Sequence, residues 1–69
     1  MRYLVVVERT RTSVRAYVPD LPGCVAVGES EEEVGRLIEE AIALHLAGMG
    51  EDNLPIPKPT ASPKFVEVA

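Results

Sequence analysis

The sequence predicts a small α+β domain in the order β-β-β-α-β, and three observations carry that prediction. Short valine-rich runs before Gly28 are separated by turn-forming residues; from Ser30 onward apolar residues recur at helical spacing; and a proline-rich stretch then leads to a last apolar run at residues 64–68. An antiparallel three-stranded meander, one helix packed on one face and a returning C-terminal strand account for all three.

Residues 3–7 are apolar on both faces of an extended chain, with Leu4 and Val6 on one side and Tyr3, Val5 and Val7 on the other, which suits a central strand. Residues 8–13 are all polar and contain neither Asn-Gly nor Asp-Gly, so they predict a hairpin of unspecified loop length. Val14, Ala16 and Val18 then alternate with Ser13, Arg15 and Tyr17, giving a second strand with one buried and one wetter face.

The run Tyr17-Val18-Pro19-Asp20-Leu21-Pro22-Gly23-Cys24 organises the rest. Each proline removes a ladder donor and Gly23 supplies a permissive backbone, so the chain turns a corner here. Residues 24–27 resume as a third strand, with Cys24 and Ala26 on one face and Val25 and Val27 on the other.

Ser30-Glu31-Glu32-Glu33 fits a capping box, in which the Ser30 hydroxyl takes the Glu33 amide and the Glu33 carboxylate reaches back to Ser30. Val34, Leu37, Ile38, Ala41, Ile42, His45 and Met49 form the face expected to pack on the sheet. Glu32 with Arg36, and Arg36 with Glu40, are spaced for outer-surface ion pairs, and Gly48 or Gly50 is the expected helix end. Residues 51–63 carry Pro55, Pro57, Pro59 and Pro63 and predict a stiff, extended connection to the last strand, in which Phe65 and Glu67 alternate with Val66 and Val68.

Sixty-nine residues make one domain, near the lower size at which an apolar core suffices alone, so self-association into a homodimer or higher homo-oligomer, or a protein partner, is physically attractive. The lone Cys24 excludes an internal disulfide, and there is no Cys/His cluster for a structural metal. Neither a signal sequence nor a run of about 20 apolar residues is present, so the cytoplasm is the expected compartment and no membrane is involved. A net charge of −4 argues against broad nucleic-acid binding. The charge is uneven: Arg2, Arg9, Arg11 and Arg15 face only Glu8 in the first hairpin, whereas residues 29–40 are dominated by carboxylates. The absence of glutamine and the single Asn53 are compatible with a thermophilic source.

The Pro19-Asp20-Leu21-Pro22-Gly23-Cys24 motif is followed by Gly28, the Ser30 cap with its acidic first turn, Glu40-Ala41 and Pro55-Ile56-Pro57, and in this order it resembles the HicB family of bacterial and archaeal antitoxins over nearly the whole chain. The resemblance implies a truncated RNase H-like fold with the last strand beside the first. It also implies binding to a small basic HicA-type toxin, an mRNA-cleaving protein of double-stranded-RNA-binding fold, whose surface is occluded. Many relatives carry a further DNA-binding segment; this sequence ends at Ala69, so no direct DNA binding is expected of it.

No catalytic, cofactor or metal residue is assigned. A two-metal nuclease needs converging carboxylates, and the first strand offers only Glu8. His45 has no evident nucleophile or orienting partner, and Cys24 heads an apolar strand, so both read as structural. The candidate partner-contact residues are Asp20, Leu21 and Pro22 at the corner and Glu32, Arg36, Glu39 and Glu40 on the helix. For Asp20 and Leu21 a structural use, with Asp20 bonding its own turn and Leu21 plugging the core, is equally well motivated. The alternative function is a stand-alone homo-oligomeric regulatory or ligand-sensing module without a toxin.

Overall fold

A computed structural model describes all of residues 1–69. Three strands, β1 (Val6–Arg9), β2 (Val14–Tyr17) and β3 (Val25–Gly28), pair antiparallel in the order β1-β2-β3, and a 21-residue helix, α1 (Glu31–Glu51), packs across β2 and β3. The meander and covering helix match the sequence prediction; the boundaries shift for identifiable reasons.

β1 begins at Val6, three residues later than the apolar run suggests. Val6 lies opposite Tyr17, so the residues before it would face Val18 and Pro19, and Pro19 has no N–H to give while the chain there is already turning away. At the other end a four-residue loop closes the hairpin, with the Thr10 amide donating to the Ser13 carbonyl at 2.8 Å and the Ser13 amide to the Thr10 hydroxyl at 3.0 Å.

The corner between β2 and β3 is two consecutive four-residue turns. Leu21 N–H donates to the Val18 carbonyl at 3.0 Å, and Cys24 N–H donates to the Leu21 carbonyl at 3.0 Å. Each turn has proline at its second position, where the ring presets φ. In the second turn Gly23 takes φ +85°, the left-handed value that a type II turn demands after Pro22. The carbonyl of Cys24 then accepts from Val18 N–H at 3.2 Å, which ties the two ends of the corner together.

Seven side chains are buried: Val14, Ala16, Val18, Leu21, Cys24, Val34 and Ile38. Tyr3, Val5, Ala26, Ala41, Ile42 and Leu46 pack around them. Leu37, expected in this face, is 38% exposed, and Leu46 takes a place that the sequence prediction left out. At 3.6 residues per turn Leu37 is rotated away from Ile38 to the flank of the helix. The helix is about 31 Å long against four-residue strands of about 13 Å, so its second half overhangs the ladder; Leu44 there is 75% exposed.

Helix α1 starts as predicted, with Ser30 as cap and its hydroxyl accepting from Glu33 N–H at 3.1 Å. The Glu33 carboxylate, however, accepts from Glu29 N–H at 2.9 Å and not from Ser30. It can reach that far because Gly28 has no side chain: a Cβ there would run into the Glu33 carboxylate and into the buried Val34. The helix passes through Gly48 and Gly50 and ends at Glu51, one residue after the second of them, with Asp52 as its C-cap. Leu54 N–H bonds the Met49 carbonyl at 2.9 Å and Asn53 N–H the Gly50 carbonyl at 3.2 Å, with Asn53 at φ +56°. That is a Schellman motif with Asn in the left-handed position.

The expected returning strand at residues 64–68 does not form. No backbone hydrogen bond involves these residues, and Phe65, Val66 and Val68 are 95%, 71% and 88% exposed. The proline-rich connection is pinned beside the corner at Thr60 and Ala61, and the donor-less Pro63 follows, so the segment leaves without docking on its own sheet.

Candidate partner-binding surface

Register assigns the two faces of the sheet. Val7, Ala16 and Ala26 stand opposite one another on the helix side, whereas Val6, Tyr17 and Val25, and then Glu8, Arg15 and Val27, share the outer side. That outer side has no covering layer. Val25 and Val27 are 61% and 62% exposed, and beside them the outer face and the corner form a groove of about 550 Å³ with Tyr17, Pro19, Pro22 and Gly23 in its lining. The sequence prediction placed Val25 and Val27 opposite the Cys24–Ala26 face but assigned them no role; their exposure was not readable without knowing that the single helix covers the other side.

The corner residues divide by task. Leu21 is fully buried, the plug of the core. The Asp20 carboxylate is a clasp on the proline-rich connection: it accepts from the Thr60 hydroxyl at 2.6 Å, from Thr60 N–H at 3.0 Å and from Ala61 N–H at 3.1 Å. Neither side chain is offered to a partner in this conformation, and Asp20 bonds a segment 40 positions away, not its own turn. Pro22 is exposed.

The three donors, the Thr60 hydroxyl first and then the Ala61 and Thr60 amides, hold the Asp20 carboxyl below its ordinary value of 3.8. A depressed carboxyl contributes stability above its unfolded value and loses it as pH falls through the folded one. The Thr60 and Ala61 amides are therefore expected to stay protected from exchange while Asp20 is ionised and to open only as pH falls below 3.8, through its lowered value. Asp20→Ala is expected to open them at neutral pH; amide exchange read residue by residue checks both.

On α1, Glu32, Arg36, Glu39 and Glu40 are exposed on the side away from the sheet. The expected pairs of Arg36 with Glu32 and Glu40 are not made. The ion pairs present are Arg9 with Glu31, joining the hairpin to the first turn of the helix, and Arg15 with Glu8 across the strands at 2.8 Å. Both are exposed and so contribute little to stability; the first lies on the helix side of the sheet and the second on its outer side. Because α1 runs back along β3, its acidic first turn lies at the hairpin end and the corner at the other, so the predicted contact residues do not form one patch.

The remaining candidate groups are placed as follows. Cys24 is buried, its thiol pushed up by desolvation, and His45 is half-buried on the helix. No three His, Cys, Asp or Glu side chains converge in a way that could hold a metal ion, and no helix is long and apolar enough to cross a membrane.

Comparison with known proteins adds four findings. The family model described as the HicB-like antitoxin of bacterial toxin-antitoxin systems matches residues 3–67. A UPF0150 protein of Helicobacter pylori is 45% identical over 49 residues, which are 71% of this chain and 68% of that protein. An uncharacterised 14.9 kDa protein of Haemophilus phage HP1 is 32% identical over 66 residues; the chain spans 50% of that relative's length. Among solved structures, a chain of a complex described as the HicA3 and HicB3 toxin-antitoxin complex superposes with a TM-score of 0.73 at 28% identity, covering 88% of this chain and 71% of that one.

Proposed function

Since the chain belongs to the HicB-like antitoxin family, we propose that it binds a small basic HicA-type toxin and neutralises it by covering the toxin's working surface. The observation that carries this reading is the match over residues 3–67 together with the likeness to a chain of a HicA3–HicB3 complex. The protein acts as a binding partner in the cytoplasm and performs no catalysis itself.

The surface supports such a role in two ways. The helix presents Glu32, Glu39 and Glu40 to solvent with Arg36 as the one cation among them, a field that draws in a basic protein from a distance. The apolar outer face with Val25, Val27 and Pro22 supplies area that gains by being covered. Carboxylates thus set encounter and selectivity, and the groove beside the corner sets residence.

Co-expression tests this. Growth arrested by a HicA-type toxin from the same genome is expected to recover when this chain is produced alongside it. Unrelieved arrest in the presence of abundant, folded protein would favour the toxin-free module instead.

A further inference from the structure

Residues 64–68 and the outer edge of β1 are two unfinished halves of one strand pairing. The segment has alternating polarity, Lys64, Phe65, Val66, Glu67 and Val68, with its three apolar side chains almost wholly in water. β1 is an edge strand, and the helix lies over β2 and β3, leaving Val7 46% exposed and Leu4, Val5 and Val6 only half-covered. An apolar edge of this kind invites another strand.

We propose that residues 64–68 of one copy add as a strand to the β1 edge of a second copy, reciprocally, so that the protein is a strand-exchanged dimer. Three observations favour a second copy over the chain's own edge. The connection is stiffened by Pro55, Pro57, Pro59 and Pro63 and held along its middle, by Tyr3 donating to the Pro57 carbonyl and by the Asp20 clasp at Thr60 and Ala61, which brings Ala61, Ser62 and Pro63 beside residues 2–5 and points residues 64–68 onward without pairing. The molecule is accordingly extended: its radius of gyration is 13.5 Å and its extents 46 × 27 × 16 Å, where a compact chain of this length has a radius of about 11 Å. A strand-like segment held off its own edge is left free to pair with the open edge of another copy.

Side-chain chemistry selects a register as well. Antiparallel addition with Phe65 opposite Val7 sets Val66 against Val6, Val68 against Leu4 and Lys64 against Glu8. A shift by two residues in either direction loses the Lys64–Glu8 match or sets Val66 against Glu8, and a shift by one turns Phe65 away from Val7. Two such exchanges bury on the order of 1,000 Å², the size at which specific interfaces begin.

The inference is independent of the antitoxin reading, and its test needs no toxin. Analytical ultracentrifugation of the full chain at micromolar concentrations is expected to show a dimer. Phe65→Asp is expected to weaken it roughly a hundredfold or more, because each dimer loses two buried phenylalanines. Its thermal melting at low concentration is expected to match the parent monomer, since Phe65 touches nothing in the isolated chain. Val7→Asp, which spoils the edge but leaves the segment whole, is also expected to be monomeric, and mixing the two variants is expected to restore association through the one intact pairing. A chain that is monomeric at all concentrations overturns the proposal, as does a dimer indifferent to Phe65→Asp. Protection of residues 64–68 only on addition of a basic protein overturns it too, by assigning the segment to a different occupant.

Discussion

Leu21→Ala is expected to leave little folded protein at 37 °C. Leu21 is fully buried, and the core it plugs has only seven buried side chains. Truncating a buried leucine typically costs about 2–5 kcal/mol, while a domain of this size holds only about 3–10 kcal/mol in total. The loss corresponds to a fall in melting temperature of about 10–30 °C, which thermal unfolding followed by circular dichroism would register. Leu21 also spans both turns of the corner, accepting from Cys24 and donating to Val18 through its backbone. Its side chain therefore couples corner geometry to core packing. A variant that melts with the parent protein would show that the corner is held by its backbone bonds alone.

Reversing charge on the outer helix is expected to act on partner binding and not on folding. Glu32, Glu39 and Glu40 make no ion pair within the chain and lie in solvent, so changing all three to Lys leaves stability within about 1 kcal/mol. If these carboxylates steer a basic toxin, the association rate falls by about tenfold to a hundredfold at low salt, and the difference shrinks as salt is raised. Dissociation changes less, because the covered apolar area is untouched. Surface-based kinetics at two ionic strengths separate the two rates, and an unchanged association rate would remove the helix from the binding surface.

What the sequence disclosed follows the range of the forces involved. The corner and the helix start were legible because their determinants are local: prolines and Gly23 act on their own dihedrals, and Ser30 acts on an amide three residues away. The helix end was misplaced because glycine inside a helix is a weak stop, whereas Asn53 could close a Schellman motif further on. Gly28 looked like a link between elements, and its need for an absent side chain emerged only where Glu33 and Val34 pack against it. Asp20 was read either as a partner contact or as bonding its own turn; instead it bonds Thr60 and Ala61, which no local pattern associates with the corner. Residues 64–68 alternate as a strand would and were expected to return to the sheet, yet they form no strand there, because pattern alone does not supply an edge to pair with.

The candidate surface shows the same division. The acidic character of α1 follows from composition and helical spacing, but the apolar outer face beside the corner depends on which side the single helix covers. Val25 and Val27 alternate with buried neighbours in a way that suits either side of a sheet, and only the register with Tyr17 and Arg15 assigns them outward.

The most direct measurement is a calorimetric titration of this chain with a HicA-type toxin from the same genome, at low and at moderate salt. The account predicts a saturable complex of defined stoichiometry whose affinity weakens as salt rises and whose formation abolishes toxin activity in the same sample. The absence of binding at both ionic strengths, with both proteins folded, would contradict it.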